Sequence, residues 1–271
     1  MKSKGILAIL SLFLLTLFLS GCGKTTTASV EKKEIKIGAT AGPYSDQIKY
    51  GIKPILEKKG YKVTIVEFND YIQPNIALAE GSLDANVFQH QIYLEKFSKE
   101  HNLDLIEVLK VPTAPIGIYS KKHKTLDEVK EGTSIALPND PANQARALVM
   151  LEQFGWIKLK PGYDPITVSE KDVVENTKKI KLIPLEAAQL PRSLDDSDYS
   201  FINGNFAIAS GLKLTEAISL EKTPSKYLNL VAVKTRDKEQ TFVQDIANAY
   251  RSTEFQKVID EKFKGFVKPQ Y

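Results

Sequence analysis

The chain has 271 residues, a formal net charge of +4 and a hydrophobic fraction of 42%. Lysines and acidic residues are interspersed along it, so the sequence lacks the basic cluster typical of proteins that bind nucleic acid. Its single cysteine excludes an intrachain disulfide. A chain of this length can bury one large core or two moderate cores without covalent cross-links.

The amino terminus has the pattern of an export signal. Lys2 and Lys4 precede a 14-residue apolar run, Ile6–Leu19, which is shorter than the about 20 residues that a transmembrane helix needs. The run ends in "LSGC" at Leu19–Cys22, which resembles the lipobox of bacterial lipoproteins. This resemblance implies that Cys22 becomes the first residue of the mature protein and carries lipid. An ordinary secretory signal with an incidental cysteine is the alternative.

We therefore interpret residues 1–21 as a lipoprotein signal peptide. Residues 22–33 are interpreted as the lipidated cysteine and a flexible tether, because the segment after Cys22 is polar and has no hydrophobic periodicity. Multiple acyl chains hold a protein stably at a bilayer. The sequence predicts an extracytoplasmic protein of the cell envelope that is attached to the membrane by lipid alone.

Strand and helix patterns alternate after the tether. Glu34–Thr40 and Tyr61–Phe68 have the composition of strands, and apolar residues recur at helical spacing between them, over 48–56. Pro54 interrupts this helical pattern and predicts a kink. In Pro74–Gly81, proline stands at the start of a helix and glycine at its end.

Further signals of the same kind follow. Asp84–Phe88 is predicted to be a short strand, with a helix from Gln89 to about Asn102. Thr125 and Glu128 match a capping box. The segment "NDPANQARALVMLEQFG" (139–155) predicts a helix with Asp140 as its cap.

Alternation of this kind indicates an α/β fold with mostly parallel sheets. At this length two lobes are favoured over one. We assign residues 34–118 together with 229–271 to the first lobe and residues 119–228 to the second. The chain would leave the first lobe near Tyr119 and return to it near Asn229.

Several stretches resemble the methionine-binding lipoproteins of bacterial ABC importers, the NlpA or MetQ type. They are "FNDYIQPN" (68–75), "DANVFQHQIYL" (84–94), "YSKK" (119–122), "PNDPANQAR" (138–146), "LEAAQLPRSLDD" (185–196), "FINGNFA" (201–207) and "YLNLVAV" (227–233). These stretches occur in the family's order across nearly the whole mature chain. The resemblance implies a two-lobed periplasmic-binding-protein fold of type II that closes on a small amino acid.

The resemblance also implies a function and partners. The protein would capture L-methionine or a close derivative and deliver it to an ABC permease driven by a cytoplasmic ATPase. It would act as a monomer, without catalytic activity, cofactor or metal. A methionine-containing dipeptide, D-methionine or another amino acid is the alternative within the same fold. A surface lipoprotein acting as an adhesin or scaffold is the alternative of a different class.

The resemblance carries the family's ligand contacts onto particular positions of this chain. They are Tyr71, Phe88, His90, Tyr93, Asn143, Arg146, Asn203 and Asn229. One nearby position departs from the family pattern, because Phe206 stands where a tyrosine is expected and a hydroxyl is therefore missing.

The chemistry of these residue types agrees with a zwitterionic ligand. The fork of Arg146 matches a carboxylate bidentately, which lysine would not do. Amide oxygens accept hydrogen bonds from an ammonium, and aromatic rings pack well against a thioether. Structural alternatives remain for each type: Arg146 would pair with Asp140 or Glu152 on a solvent face, the asparagines would be turn residues, and the aromatics would be core.

His90 has no sequence context typical of a catalytic or metal-binding histidine. The chain lacks G-x-S-x-G and H-E-x-x-H motifs, and the other histidines, His101 and His123, lie in charged segments farther along. If a helix begins at Gln89, His90 and Tyr93 share one helical face. We therefore predict that His90 is part of a pocket wall, with a structural histidine as the alternative.

Overall fold

The computed structural model describes residues 32–271. The predicted signal peptide, Cys22 and most of the predicted tether lie outside the described residues. Within residues 32–271 the strands form two five-stranded sheets and one two-stranded sheet.

Strands and helices alternate along the described part of the chain. The strands are β1 (Glu34–Thr40), β2 (Lys62–Phe68), β3 (Ala85–His90), β4 (Leu105–Lys110), β5 (Gly117–Tyr119), β6 (Ser134–Pro138), β7 (Lys158–Leu159), β8 (Val173–Glu175), β9 (Lys181–Leu185), β10 (Tyr199–Ile202), β11 (Ser219–Leu220) and β12 (Asn229–Lys234). The α-helices are α1 (Pro43–Gln47), α2 (Lys53–Lys58), α3 (Gln73–Glu80), α4 (Gln91–His101), α5 (Pro141–Gln153), α6 (Gly204–Ala209), α7 (Thr241–Arg251) and α8 (Thr253–Lys262).

Both large sheets are mixed. The first has the order β2-β1-β3-β12-β4 and the second the order β11-β5-β10-β6-β9. Strand β12 is antiparallel to β3 and β4, and β5 is antiparallel to β10 and β11. The prediction of mostly parallel sheets is wrong at these two strands. Parallel neighbours need a long crossover within one sheet, whereas β5 and β12 each enter their sheet directly from the other lobe.

Two segments connect the lobes. Residues 111–116 lead from β4 of the first sheet to β5 of the second, and residues 221–228 lead back from β11 to β12. Gly117 and Ile118 pair with strands of the second sheet, although the sequence prediction had placed them in the first lobe.

Each lobe has its own hydrophobic core. In the first lobe, buried Ile37 and Val231 of the sheet belong to one cluster with Phe255 of α8. In the second lobe, Leu148 of α5 packs in a cluster with Phe201 of β10. The residues between the lobes are therefore held by two separately packed bodies.

Local signals predicted from the sequence are largely confirmed. Strand β1 covers the predicted residues, and Pro141 is the first residue of α5. Thr125 and Glu128 form the predicted capping box, at the short 3-10 helix Leu126–Glu128. Strands β7, β8 and β11 were not predicted, because strands of two or three residues are too short to show alternation.

A π-helical segment, Ile48–Ile52, lies between α1 and α2. Pro54 stands at the start of α2 and has no N–H group to donate. The predicted helix is thus interrupted by a π turn, an irregularity that often accompanies a break in the helical hydrogen bonds. Gly51 of this segment faces α8, where an added Cβ would lie 2.5 Å from Cδ2 of the fully buried Phe255.

Gly51→Ala is expected to destabilise the fold, because the added methyl group would lie 2.5 Å from Cδ2 of the buried Phe255 ring, which would have to shift. The expected loss is about 1–3 kcal/mol in the free energy of unfolding, measured by denaturant titration. Lys53→Ala, a more exposed change in the neighbouring turn, is the control and should cost less than about 0.5 kcal/mol. Equal stability of the two variants would contradict this packing.

Candidate functional site

A small cavity lies between the two lobes. All of the predicted ligand residues line it: Tyr71, Phe88, His90, Tyr93, Asn143, Arg146, Asn203 and Asn229. The sequence did not indicate the other lining residues: Tyr44, Gln89, Thr113, Ala114, Ile116, Gly204 and Asn205.

The topology explains why these residues meet. Phe88 and His90 are at the carboxyl end of β3, and Asn203 directly follows β10. Strand β12 runs antiparallel to β3, so its first residue, Asn229, pairs with His90 at the same edge. Ligands of open α/β sheets bind outside the carboxyl ends of the strands. The cavity lies at this position for both sheets.

His90 is the last residue of β3 and the cap of α4. Its backbone is extended, and its Nδ1 accepts a hydrogen bond of 3.2 Å from the N–H of Tyr93. The predicted helix start at Gln89 is therefore wrong, because α4 begins at Gln91 and a cap residue has a non-helical backbone. His90 and Tyr93 do not share a helical face; the cap hydrogen bond joins them.

The cap hydrogen bond also defines the tautomer of His90. Because Nδ1 accepts, Nε2 carries the proton and donates it to Oδ1 of Asn143 at 3.3 Å. Burial, followed by the positive charge of Arg146, lowers the pKa of His90 to about 3. The imidazole is neutral near pH 7, and both of its nitrogens are engaged. This arrangement suits a wall residue and leaves no free nitrogen for a metal or a catalytic proton.

The asparagines form a connected polar group. Oδ1 of Asn143 accepts from His90 and, at 3.0 Å, from Nδ2 of Asn203. Nδ2 of Asn143 donates to both carboxylate oxygens of Asp140, whose predicted role as the cap of α5 is confirmed. Asn229 donates from Nδ2 to the carbonyl of Phe88 at 2.8 Å. These bonds hold the amide groups in defined orientations around the cavity.

One acceptor in this group has no protein partner. Oδ1 of Asn203 is buried and accepts no hydrogen bond from any residue in the range 32–271. An unsatisfied buried polar atom costs about 1–3 kcal/mol. Because Asn203 lines the cavity, a donor group of a bound ligand would satisfy this oxygen.

Arg146 is buried, with 4% of its side chain exposed. Its Nε donates to Oε1 of Glu221 at 2.5 Å, and its Nη2 donates to Oε2 of the same carboxylate. The ring of Tyr227 covers the guanidinium at 4.7 Å. The alternative of a solvent-facing pair with Asp140 or Glu152 is therefore wrong. Nη1 makes no hydrogen bond within the part of the chain that the structure describes, so one end of the fork is available to the cavity.

Aromatic rings form one wall of the cavity. The ring centroids of Tyr71, Phe88 and Tyr93 lie 5.8–6.0 Å from one another. The hydroxyl of Tyr93 donates to the carbonyl of Tyr71 at 3.0 Å, which holds the two rings together. Burial raises the pKa of Tyr71 well above its ordinary value. The wall therefore combines apolar ring faces with neutral hydroxyl groups.

Direct hydrogen bonds join the lobes across the cavity. Tyr71 of the first lobe donates to Oδ1 of Asn205 in the second at 2.7 Å. Nδ2 of Asn205 donates back to Oγ1 of Thr40 at 3.3 Å, and the bond from His90 to Asn143 also crosses between the lobes. The structure is thus a closed arrangement of the two lobes.

Phe206 contacts the back of this wall. Its ring centroid is 4.9 Å from that of Tyr71. It lines a larger outer cleft, which shares Tyr71 and Tyr93 with the inner cavity, and it is absent from the inner lining. The hydroxyl missing at this position therefore concerns the outer cleft.

The described residues contain neither a metal centre nor a membrane span. Within residues 32–271 no group of three or more His, Cys, Asp or Glu side chains is placed to hold a metal ion. No helix in the same range has the length and apolar character needed to cross a membrane.

Comparison with known proteins shows the family. The sequence model described as NlpA lipoprotein matches residues 35–271. The chain belongs to the NlpA lipoprotein family. It is 40% identical over 253 residues to the D-methionine-binding lipoprotein MetQ of Salmonella typhi, an alignment that covers 92% of each chain.

Solved structures of similar proteins share the fold. A nutrient binding protein from Burkholderia cenocepacia, bound to methionine, is 44% identical with a TM-score of 0.83; the match covers 87% of this chain and 100% of that one. A periplasmic substrate-binding protein of an ABC transporter from Coxiella burnetii is 37% identical with a TM-score of 0.82, again covering 87% and 100%.

These comparisons confirm the family resemblance and the two-lobed α/β binding-protein fold. The relatives are named as binding proteins and lipoproteins, so the NlpA chain is a binding protein and not an enzyme. Family membership also makes it a lipoprotein of the cell envelope on the extracytoplasmic side.

The neutral state of His90 predicts a pH dependence of stability. The unfolded chain takes up a proton at His90 near pH 6.5, whereas the folded protein takes it up only near pH 3. Neutral His90 therefore makes its full contribution to the free energy of unfolding above pH 6.5. This contribution is lost as the pH falls toward 3, by at most about 1.4 kcal/mol per pH unit.

Denaturant unfolding at pH 7 and pH 5 measures this effect in the wild type and in His90→Gln. Between pH 7 and pH 5, the free energy of unfolding of the wild type should fall by about 2 kcal/mol more than that of the variant. Parallel losses in the two proteins would contradict a neutral His90. Imidazole nitrogen chemical shifts provide a second check, because the proton should be on Nε2.

Proposed function

We propose that this NlpA-family protein captures L-methionine or a close derivative in the inner cavity and delivers it to a membrane transporter. The observation that carries the proposal is one closed cavity containing a buried guanidinium with an unused N–H end and a buried amide oxygen without a partner. Its lining combines this cation with amide groups and aromatic rings, the mixture of a few placed polar groups and apolar surface that ligand sites have. The names of the relatives support this ligand.

Each part of a zwitterionic amino acid has a matching group. Nη1 of Arg146 would donate to the α-carboxylate as a charge-assisted hydrogen bond. Oδ1 of Asn203 would accept from the α-ammonium, which would satisfy the oxygen that lacks a protein partner. The rings of Tyr71, Phe88 and Tyr93 would surround the thioether, which interacts favourably with aromatic edges.

The neutral wall residues would complete the site. His90, Asn143 and Asn229 line the cavity and are held by bonds to one another or to nearby backbone. Preorganised polar groups lose little conformational freedom when a ligand binds. We therefore assign these residues to the ligand site together with Arg146 and Asn203.

Ligand entry would require the lobes to separate. We infer a hinge motion about the two connecting segments, 111–116 and 221–228. The first lobe, predicted from the sequence as 34–118 plus 229–271, would move relative to the second lobe, predicted as 119–228. Gly117 and Ile118 pair with the second sheet, so they would move with the second lobe. Opening would break the bond from Tyr71 to Asn205 and the bond from His90 to Asn143. The closed form would be recognised by an ABC permease, with transport driven by its cytoplasmic ATPase. The binding protein would act as a monomer.

The form of the ligand is a separate question within this proposal. Relatives are named for D-methionine in one case and described as bound to methionine in another. Competition calorimetry with L-methionine, D-methionine and a methionine-containing dipeptide would rank these ligands.

Arg146→Lys tests the ligand site. Lysine retains a positive charge opposite Glu221, but it does not provide the planar fork that serves two carboxylates at once. We expect the affinity for L-methionine to fall about tenfold to 150-fold, the equivalent of about 1.5–3 kcal/mol. Isothermal titration calorimetry on the mature lipoprotein in detergent, unfolded and refolded to remove retained ligand, measures the change.

The matched control is Arg192→Lys, an exposed arginine of the second lobe. Its affinity for methionine should equal that of the wild type. Unchanged affinity in Arg146→Lys would remove Arg146 from the site, and absence of methionine binding to the wild type would refute the proposed ligand.

Cys22→Ala tests the proposed anchor. Removal of the thiol removes the point of lipid attachment, so the variant should move from the membrane fraction to the soluble extracytoplasmic fraction. Cell fractionation and labelling with radioactive palmitate measure the change, with Thr25→Ala as the control that retains the cysteine. Equal membrane retention and equal labelling of Cys22→Ala would show that the lipid is not on Cys22.

A further inference from the structure

The connecting segment 221–228 supplies both residues that hold Arg146. Glu221 binds the guanidinium through both carboxylate oxygens, and the ring of Tyr227 covers it. The segment itself is fixed to the protein. The N–H of Glu221 donates to the carbonyl of Ile116 in the other connecting segment at 2.9 Å, and Thr223 donates to Oε2 of Glu221 at 2.8 Å.

Glu221 contacts Arg146 but does not line the inner cavity. Arg146 lines the inner cavity and also a groove between α5 and residues 219–227, whereas Glu221 lines the groove and not the inner cavity. The carboxylate therefore occupies the Nε and Nη2 edge on the groove side. This leaves Nη1 for the inner cavity, where a ligand carboxylate would be received.

The pair also determines the charge of the site. Arg146 is the only charged side chain among the described residues that line the inner cavity, because His90 is neutral. Only 6% of the Glu221 side chain is exposed, so its charge is poorly screened and offsets that of Arg146. The two charges together are neutral, as is a zwitterionic amino acid.

We infer that Glu221 is the positioning residue of the ligand site and the residue that makes it prefer a zwitterion over a net anion. The carboxylate holds the guanidinium with Nη1 directed into the cavity. Its negative charge attracts the ligand ammonium and repels the ligand carboxylate, so a ligand without the ammonium is disfavoured. This inference rests on the proposed function, because it concerns how the same cavity selects its ligand.

The test compares two ligands that differ only in the amino group. L-Methionine and 4-(methylthio)butanoate share the carboxylate and the thioether, but the second lacks the ammonium. A substitution that weakens only the contact with the ligand carboxylate changes both dissociation constants equally and leaves their ratio unchanged. Calorimetry gives both constants for the wild type, Glu221→Gln and Glu221→Asp, with methionine displacement used where direct heats are small.

Glu221→Gln removes the charge and keeps the size of the side chain. We expect the preference for methionine over the deaminated analogue to fall at least about tenfold. The ligand ammonium would no longer be attracted by the carboxylate of Glu221, and this attraction is strong because little water lies between the two charges. Glu221→Asp keeps the charge but shortens the reach to Arg146. This variant should bind both ligands about tenfold more weakly than the wild type does. The ratio of its two dissociation constants should stay within about threefold of the wild-type ratio.

The control is Glu170→Gln, which removes an exposed carboxylate from the same lobe. It should alter neither affinity nor ratio, because exposed charges are screened. Thermal unfolding followed by circular dichroism checks that each variant folds. If Glu221→Gln does not fold, Glu221→Asp decides the positioning role, and the ligand ratio of Glu221→Asn compared with that of Glu221→Asp decides the charge preference.

The outcomes separate the two proposals. Failure of the wild type to bind methionine refutes the proposed function, and this inference with it. Normal binding by the wild type with an unchanged ligand ratio in Glu221→Gln overturns the charge preference and leaves the proposed function standing. Wild-type affinities in Glu221→Asp overturn the positioning role.

Discussion

A positive charge buried between two lobes must be paired, and this requirement organises the centre of the protein. Taking a guanidinium out of water costs several kcal/mol unless an anion and hydrogen bonds replace the lost solvation. Arg146 of the second lobe meets that need through Glu221 and Tyr227, both in one connecting segment. The charged centre is thereby tied to the segment about which the lobes are proposed to move. A ligand carboxylate would add a second anion at the free Nη1.

The rest of the cavity lining is uncharged and combines polar groups with aromatic rings. His90 is kept neutral by burial and by the nearby arginine, and its two nitrogens bind Tyr93 and Asn143. Within residues 32–271, the buried side-chain atom of this network that lacks a partner is the amide oxygen of Asn203. A nearly satisfied network is rigid, and its one open acceptor becomes a specific place for a donor. The proposed ligand completes both the charge pairing and the hydrogen bonding.

Local features of the fold could be predicted where the cause lies within a few residues. The cap at Asp140 and the strand at β1 follow from turn chemistry and alternation, and the structure confirms both. The start of α4 was misplaced because histidine is an unusual cap, and its role depends on a side-chain bond to the backbone of Tyr93. The antiparallel direction of β12 was missed because it depends on how the chain returns between lobes.

The sequence by itself determined the lipobox at Cys22, the alternation of strands and helices, and the family motifs that contain all of the predicted site residues. Only the tertiary structure revealed the partner of Arg146, which is 75 residues away along the chain. It alone also revealed the hydrogen bond that Tyr71 donates to Asn205, which lies 134 residues farther along the chain. A motif is a set of residue types at fixed local spacing, and a single sequence is enough to show it. Contacts between residues that are far apart along the chain depend on how the two lobes pack and on where the chain passes between them. No local pattern of residues encodes these contacts.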